Sequence, residues 1–110
     1  VNLTHRPIYV KTTKTPNLAY LAIVRQQPCC ICERFGLVQT TPTEAHHVIC
    51  ARGGNRKTPD DDAIPVCRAH HRTGEDGFLS VHKHRKAWVA AYGLDMDYVA
   101  ATRERVGVIL

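Results

Sequence analysis

Apolar residues first recur at helical spacing at Leu18, Leu21 and Ala22, with Arg25 on the following turn. Thr15 ahead of them suits an N-cap, Pro16 suits the first helical position and Pro28 blocks continuation, so a helix is predicted over residues 16–26. Between 36 and 49 the period changes. Val38, Thr40, Thr41, Thr43, Val48 and Ile49 surround Pro42, which predicts two short strands joined by a turn, the second ending at His46 and His47. Residues 50–65 carry Gly53, Gly54, Asn55, Pro59, Pro65 and three consecutive aspartates, and read as one long loop. Loops of that length in a small chain usually serve function. A short helix is expected from Cys67 through His71, broken between Gly74 and Gly77. Over 79–92, Val81, Trp88, Val89 and Tyr92 form an apolar stripe, Lys83, His84, Arg85 and Lys86 lie largely on the other faces, and Gly93 is placed to end the helix. A last helix is expected over 94–106 with Asp95 as its cap, while residues 1–15 show no period and read as an irregular arm.

At 110 residues the chain suits a single domain of α+β class, 1–110, with its core at 28–84. Apolar residues make up 44%, yet with two Phe, one Trp and one Met the core must be modest and something further must stabilise it. Five Cys and seven His supply a candidate in bound metal. An odd number of cysteines does not suit a closed disulfide set, and no basic stretch followed by an apolar one opens the chain, so a reduced, cytoplasmic protein is expected. Apolar runs such as 18–24 and 106–110 fall far short of the roughly 20 residues that cross a bilayer, so no membrane association is expected. The net charge of +5 favours a polyanionic partner, nucleic acid before anionic lipid.

Cys29 and Cys32 are separated by two residues, and Cys67 and His70 repeat that separation further on. Tetrahedral zinc takes four thiolate or imidazole ligands, and two such knuckles close a structural site with no open position. Cys30 rivals Cys29 for the first place, and Cys-x-x-Cys by itself is also the pattern of a thiol–disulfide centre, which would lack metal. His46, His47, His71 and His82 exceed what the zinc site can use. A neutral imidazole can bind a divalent cation or take a proton from water, and alternation along a strand would let His46 and His47 face opposite ways and divide those tasks. His84 sits in a basic run that reads first as a solvated face touching phosphate. Cys50 has no partner by spacing and reads as a small buried residue.

In order along the chain, Cys29-Cys30-Ile31-Cys32, Ala45-His46-His47-Val48, Gly53-Gly54, Asp62 and Cys67-Arg68-Ala69-His70-His71 resemble the HNH endonucleases over residues 28–72. Within them the His-His pair is similar to a phage-associated branch related to RecA-dependent nucleases. The resemblance implies a ββα-metal, treble-clef-like core with structural zinc and flanking helices, and hydrolysis of DNA phosphodiester bonds. It implies Mg²⁺, Mn²⁺ or another divalent ion at the catalytic centre, and DNA and an accessory recombination protein as partners. Carried over by residue, His46 takes the first metal-ligand position, His47 the general base and His71 the later ligand, with His82 completing the set. Asp62 stands where the name-giving Asn orients the loop and the base, with an ordinary cap as its other reading, and His70 replaces a cysteine among the zinc ligands. Arg52, Arg56 and Lys57 beside the Gly-Gly loop, with Lys83 and Arg85, are the candidate phosphate contacts. A zinc-stabilised DNA-binding module without catalysis is the competing expectation.

Overall fold

The structure, a computed structural model, describes residues 16–49 and 58–110. Its layout follows from two strands. β1 (Thr43–His47) and β2 (Ala63–Cys67) pair antiparallel, with Thr43 opposite Cys67, Ala45 opposite Pro65 and His47 opposite Ala63. Alternation puts Glu44 and His46 on one face of this ribbon, with Ile64 and Val66 across from them, and puts Ala45 and His47 on the other. Around it lie α1 (Leu18–Arg25), α2 (Cys30–Phe35), α3 (Arg85–Tyr92) and α4 (Val99–Ile109). A π-type turn at Ala69–Thr73 and a 3₁₀ turn at Glu75–Gly77 fill the path from β2 to α3. The result is a small mixed α/β protein with a two-stranded sheet among the described residues.

The ribbon is packed on both faces. On one side Ile31, Val48, Ile64, Val66, Val81 and the fully buried Trp88 form the main core together with Cys29, Cys32 and Cys67. On the other, Tyr20 and Val24 of α1 meet Val106 of α4, with Ala45 packed against them. Cysteines thus occupy core positions that aliphatic side chains would normally fill, which fits the shortage of large apolar residues. None of the helices described is long and apolar enough to cross a membrane.

Several elements differ from the sequence expectation, each for a local reason. α1 starts at Leu18 because Asn17 is its N-cap, its side chain accepting from the Tyr20 amide at 3.2 Å; Thr15 and the arm 1–15 lie outside the described residues. The two strands expected between 36 and 49 are one. Ahead of β1, the Gln39 side chain organises the chain instead, accepting from the Cys29 amide at 2.8 Å and donating to the Thr41 carbonyl at 2.8 Å and the Thr43 hydroxyl at 2.9 Å. The end of the expected loop is strand β2, in spite of Pro65. In a two-stranded ribbon each strand has an outer edge, where a missing N–H breaks no ladder.

α2 was not expected at all; it closes at Gly36, whose φ of 66° is a conformation that other residues adopt only under strain. The helix expected at Cys67 begins only after β2 has run through that cysteine. The helix expected over 79–92 begins at Arg85, since the chain first turns at Ser80, whose hydroxyl accepts from the Lys83 amide at 3.0 Å. Gly93 does end α3, its amide bonding the Val89 carbonyl at 2.9 Å. Asp95 is not a helix cap. It opens a 3₁₀ turn, Asp95–Tyr98, ahead of α4, and its side chain is buried against the sheet.

Gly36→Ala is expected to lower stability by about 1 kcal/mol, the cost of a Cβ at positive φ, since nothing lies within 4 Å of the added atom to clash with it. A urea unfolding midpoint equal to the parent's would contradict this account of how α2 ends.

Candidate metal centres

Three elements converge on the first centre. Cys29 precedes α2, Cys32 lies within it, Cys67 ends β2 and His70 sits in the π-type turn, and all four are buried. His70 Nδ1 lies 3.8 Å from Cys29 Sγ, 3.6 Å from Cys32 Sγ and 3.3 Å from Cys67 Sγ, and the Cys32 and Cys67 sulfurs are 4.0 Å apart. A tetrahedral zinc ion, with bonds of about 2.3 Å to sulfur and about 2.0–2.1 Å to nitrogen, sets edges of about 3.8 Å and about 3.6 Å respectively. The donors therefore already stand at the edge lengths such an ion needs. The imidazole is held in that orientation by stacking on Phe78, with centroids 4.3 Å apart and planes 5° apart, and by the edge of Tyr92 at 5.3 Å, whose hydroxyl lies 3.4 Å from Nε2. Cys29 rather than Cys30 belongs to the cluster.

The three thiols do not share one protonation state. Hydrogen bonds from Cys29 and His70 hold Cys67 far below the usual thiol range, while the proton shared with Cys67, together with burial, pushes Cys29 up, and burial pushes Cys32 up. A dry site can carry one thiolate among three thiols without a cation; a divalent cation removes that limit. A buried Cys₃His cluster of this shape can hold a metal and is compatible with zinc.

The second centre begins one residue later. His46 on β1, His71 in the π-type turn and His82 beyond it offer ring nitrogens that all lie within 4.8 Å of one another, from buried, half-buried and exposed positions in turn. His46 Nε2–H donates to the Asp95 carboxylate at 2.7 Å, an oxygen that also accepts from the Ile49 amide at 2.7 Å. Its Nδ1 is buried and has no hydrogen-bond partner among the described residues. An unsatisfied buried ring nitrogen costs about 1–3 kcal/mol, so a ligand there would recover a real loss. His71 Nδ1–H donates to Glu44 at 2.8 Å. Arg72 clamps the same carboxylate at 2.8 and 2.6 Å and, as the larger influence, holds Glu44 down to about 2. Burial first, then His46 and His82, depress His71 to about 4 against the opposing pull of Glu44. Carboxylate-backed neutral imidazoles are the arrangement that metal-binding histidines use to fix the donor atom. Unlike the first centre, this one reaches solvent through His82.

His47 lies on the opposite face of β1, as the alternation requires. Its Nε2 bonds Asp60 at 2.8 Å. The carboxylate on His47 is thus Asp60, two residues before the Asp62 expected to orient the base; Asp62 is buried and ion-paired to Arg103 of α4. Of the candidate phosphate contacts, Arg85 donates to the Ile49 carbonyl at 2.9 Å and Lys83 to the Thr73 carbonyl at 3.2 Å, and both residues are exposed. Arg52, Arg56 and Lys57, like Cys50 and the Gly53-Gly54 pair, lie outside the described residues. His84 accepts from the Ser80 amide at 3.1 Å and serves the turn into α3. Sequence reasoning missed the three carboxylates Glu44, Asp60 and Asp95. Only Glu44 carried a signal, being two residues before His46 and so on the same strand face.

A small mixed α/β protein with a closed thiol–imidazole cluster and an adjoining open imidazole cluster is what these elements define. The chain belongs to the family described as Protein of unknown function (DUF968), which it matches over residues 5–106. No curated protein and no solved structure matches it.

Above about pH 6.5, the value of a free imidazole, His71 is neutral in both the folded and the unfolded chain. As pH falls from there towards about 4, the unfolded chain takes up a proton that the folded one refuses, so stability is lost across that window. His71→Gln, which titrates in neither state, should flatten this part of the curve. Urea midpoints from about pH 7.5 to about pH 4.5 that fall equally in parent and variant would remove the assignment.

Proposed function

We propose that the protein is a zinc-stabilised, metal-dependent endonuclease of the HNH, ββα-metal type, hydrolysing phosphodiester bonds in DNA. One observation carries this reading: a closed Cys₃His cluster and an open three-histidine cluster meet at consecutive residues, His70 and His71, while His47 sits beside His46 on the other strand face. A protein that only bound DNA would need the first cluster and not the second. In this reading β1, β2 and the π-type turn form the ββα-metal core, and zinc at Cys29, Cys32, Cys67 and His70 holds it together.

His46, His71 and His82 would hold Mg²⁺, Mn²⁺ or another divalent ion, which when bound polarises a phosphoryl oxygen and stabilises the leaving 3′ oxygen. The remaining work belongs to the chain. Asp95 and Glu44 keep the His46 and His71 rings turned with their lone pairs inward. His47 accepts the proton of the attacking water. Lys83 and Arg85, with Arg52, Arg56 and Lys57, contact the phosphate backbone and place the duplex, and the excess of positive charge draws it in. DNA is the partner, with an accessory recombination protein as a second, in a phage-associated and cytoplasmic setting where thiols stay reduced.

Supercoiled DNA incubated with parent and His47→Ala, in Mg²⁺, Mn²⁺, Zn²⁺ or chelator, should be nicked or cut only by the parent and only with metal. The variant, still folded, should be slower by about 10²–10⁴-fold. Binding without cleavage by either protein would favour the zinc-stabilised DNA-binding module instead. Metal analysis should find one tightly held zinc per chain, lost in Cys67→Ser along with cooperative unfolding; a metal-free parent with a reversible Cys29–Cys32 disulfide would mark a thiol centre.

A further inference from the structure

We propose that Asp60 is the positioning residue for His47, fixing the imidazole as the tautomer protonated at Nε2 and leaving Nδ1 as its basic atom. The catalytic meaning of this rests on the nuclease reading; the geometry itself does not.

The two oxygens of the Asp60 carboxylate have different tasks. Oδ1 accepts from His47 Nε2 at 2.8 Å, and Oδ2 accepts from the backbone amide of Asn17 at 2.8 Å. The second bond comes from the N-cap of α1, where an amide has no partner within the helix. The same Asn17 donates its side-chain amide to Asp61 at 2.9 Å. On the other side of the 3₁₀ turn Asp60–Asp62, Arg103 of α4 donates to the Asp61 carbonyl at 3.0 Å and pairs with Asp62. Three consecutive aspartates, which look in the sequence like a solvated loop, are therefore clasped between α1 and α4, and Asp60 is presented to the end of β1. An ionised carboxylate can only accept hydrogen bonds, so the ring nitrogen facing it must carry the proton. The other ring nitrogen is then the one with a lone pair, as a general base requires.

A single-atom change separates positioning from mere packing. Asp60→Asn keeps the size and shape of the side chain, but one of its two terminal atoms becomes a donor. The Asn17 amide can only donate, so it keeps the remaining oxygen, and the new NH₂ faces His47. The imidazole must then accept at Nε2 and carry its proton on Nδ1. The variant inverts the tautomer without emptying the site, and it leaves the three-histidine cluster on the opposite strand face untouched.

The test is ¹⁵N–¹H long-range correlation spectroscopy of the histidine rings in the zinc-loaded, diamagnetic full chain, with DNA cleavage and Mn²⁺ titration run beside it. In the parent, His47 should show a protonated Nε2 and an unprotonated Nδ1, and in Asp60→Asn the reverse. Cleavage by the variant should fall by about 10²–10⁴-fold, the size of a general-base contribution, while Mn²⁺ affinity stays within about twofold of the parent, well short of the loss expected when a ligand's own support is removed. A parent His47 protonated on Nδ1 overturns the proposal without any variant, and so does an Asp60→Asn protein that keeps Nε2–H. If the parent shows the Nε2–H form but cuts no DNA with any metal, the nuclease reading falls, and Asp60's hold on His47 stands.

Discussion

Three thiols and an imidazole are packed together away from water with their ligand atoms within 4.8 Å of one another, and the rest of the molecule is arranged around that cluster. Cys29, Cys32, Cys67 and His70 draw α2, the end of β2 and the π-type turn to one point. With one tryptophan and two phenylalanines in the chain, aliphatic packing alone gives a thin core. The net stability of a small domain is about 5–15 kcal/mol, and structural zinc in a cluster of this kind contributes about 10–16 kcal/mol. On those magnitudes an ion at the cluster would matter as much as the whole net stability of a domain this size. The neighbouring aromatic rings, Phe78 stacked on His70 and Tyr92 at its edge, then serve to aim a donor as well as to bury area.

The second centre borrows its rigidity from the first. Successive side chains on a helical turn diverge by roughly a quarter of a revolution, so His70 can look into the core while His71 looks out of it. The chain returning past this turn is stitched to it by amides of Val81 and His82 that donate to the carbonyls of His70 and His71 at 2.9 and 3.2 Å. His82 is carried into place by that return. Each of the two inner imidazoles is then turned by a carboxylate from elsewhere in the chain, Glu44 from the same strand face and Asp95 from the turn before α4. The C-terminal segment is thus more than a cover, because through Asp95 it reaches the wall of the site.

Much of this was legible in the sequence, and what was not has identifiable causes. The ligand spacings of the Cys₃His cluster are local pairs, so they show up in the sequence as pairs. The opposed directions of His46 and His47 follow from strand alternation alone. β2 was hidden because Pro65 and the run of aspartates before it argue for a loop, and only the narrowness of the ribbon makes Pro65 harmless. α2 was hidden because a six-residue helix has too few turns to show a period. Asp60 and Asp95 meet their histidines across 13 and 49 residues, respectively, and no spacing rule reaches that far. The aspartate nearest in pattern to the expected orienting residue, Asp62, proved to be committed to Arg103.

The adjacency of His70 and His71 also bears on how this chain can change over evolutionary time. Point substitutions at exposed positions such as Ala90 of α3 and Glu104 of α4 alter solvent-facing side chains and little else. An insertion or deletion between Cys67 and His71 would misalign both centres in one event, because the peptide that carries one imidazole inward carries the next one outward. Between the two ends Ala69 is packed in the core and Arg68 is partly exposed, so a change of residue would be easiest at Arg68, while a change of length would meet two separate geometric demands, either of which would suffice to oppose it.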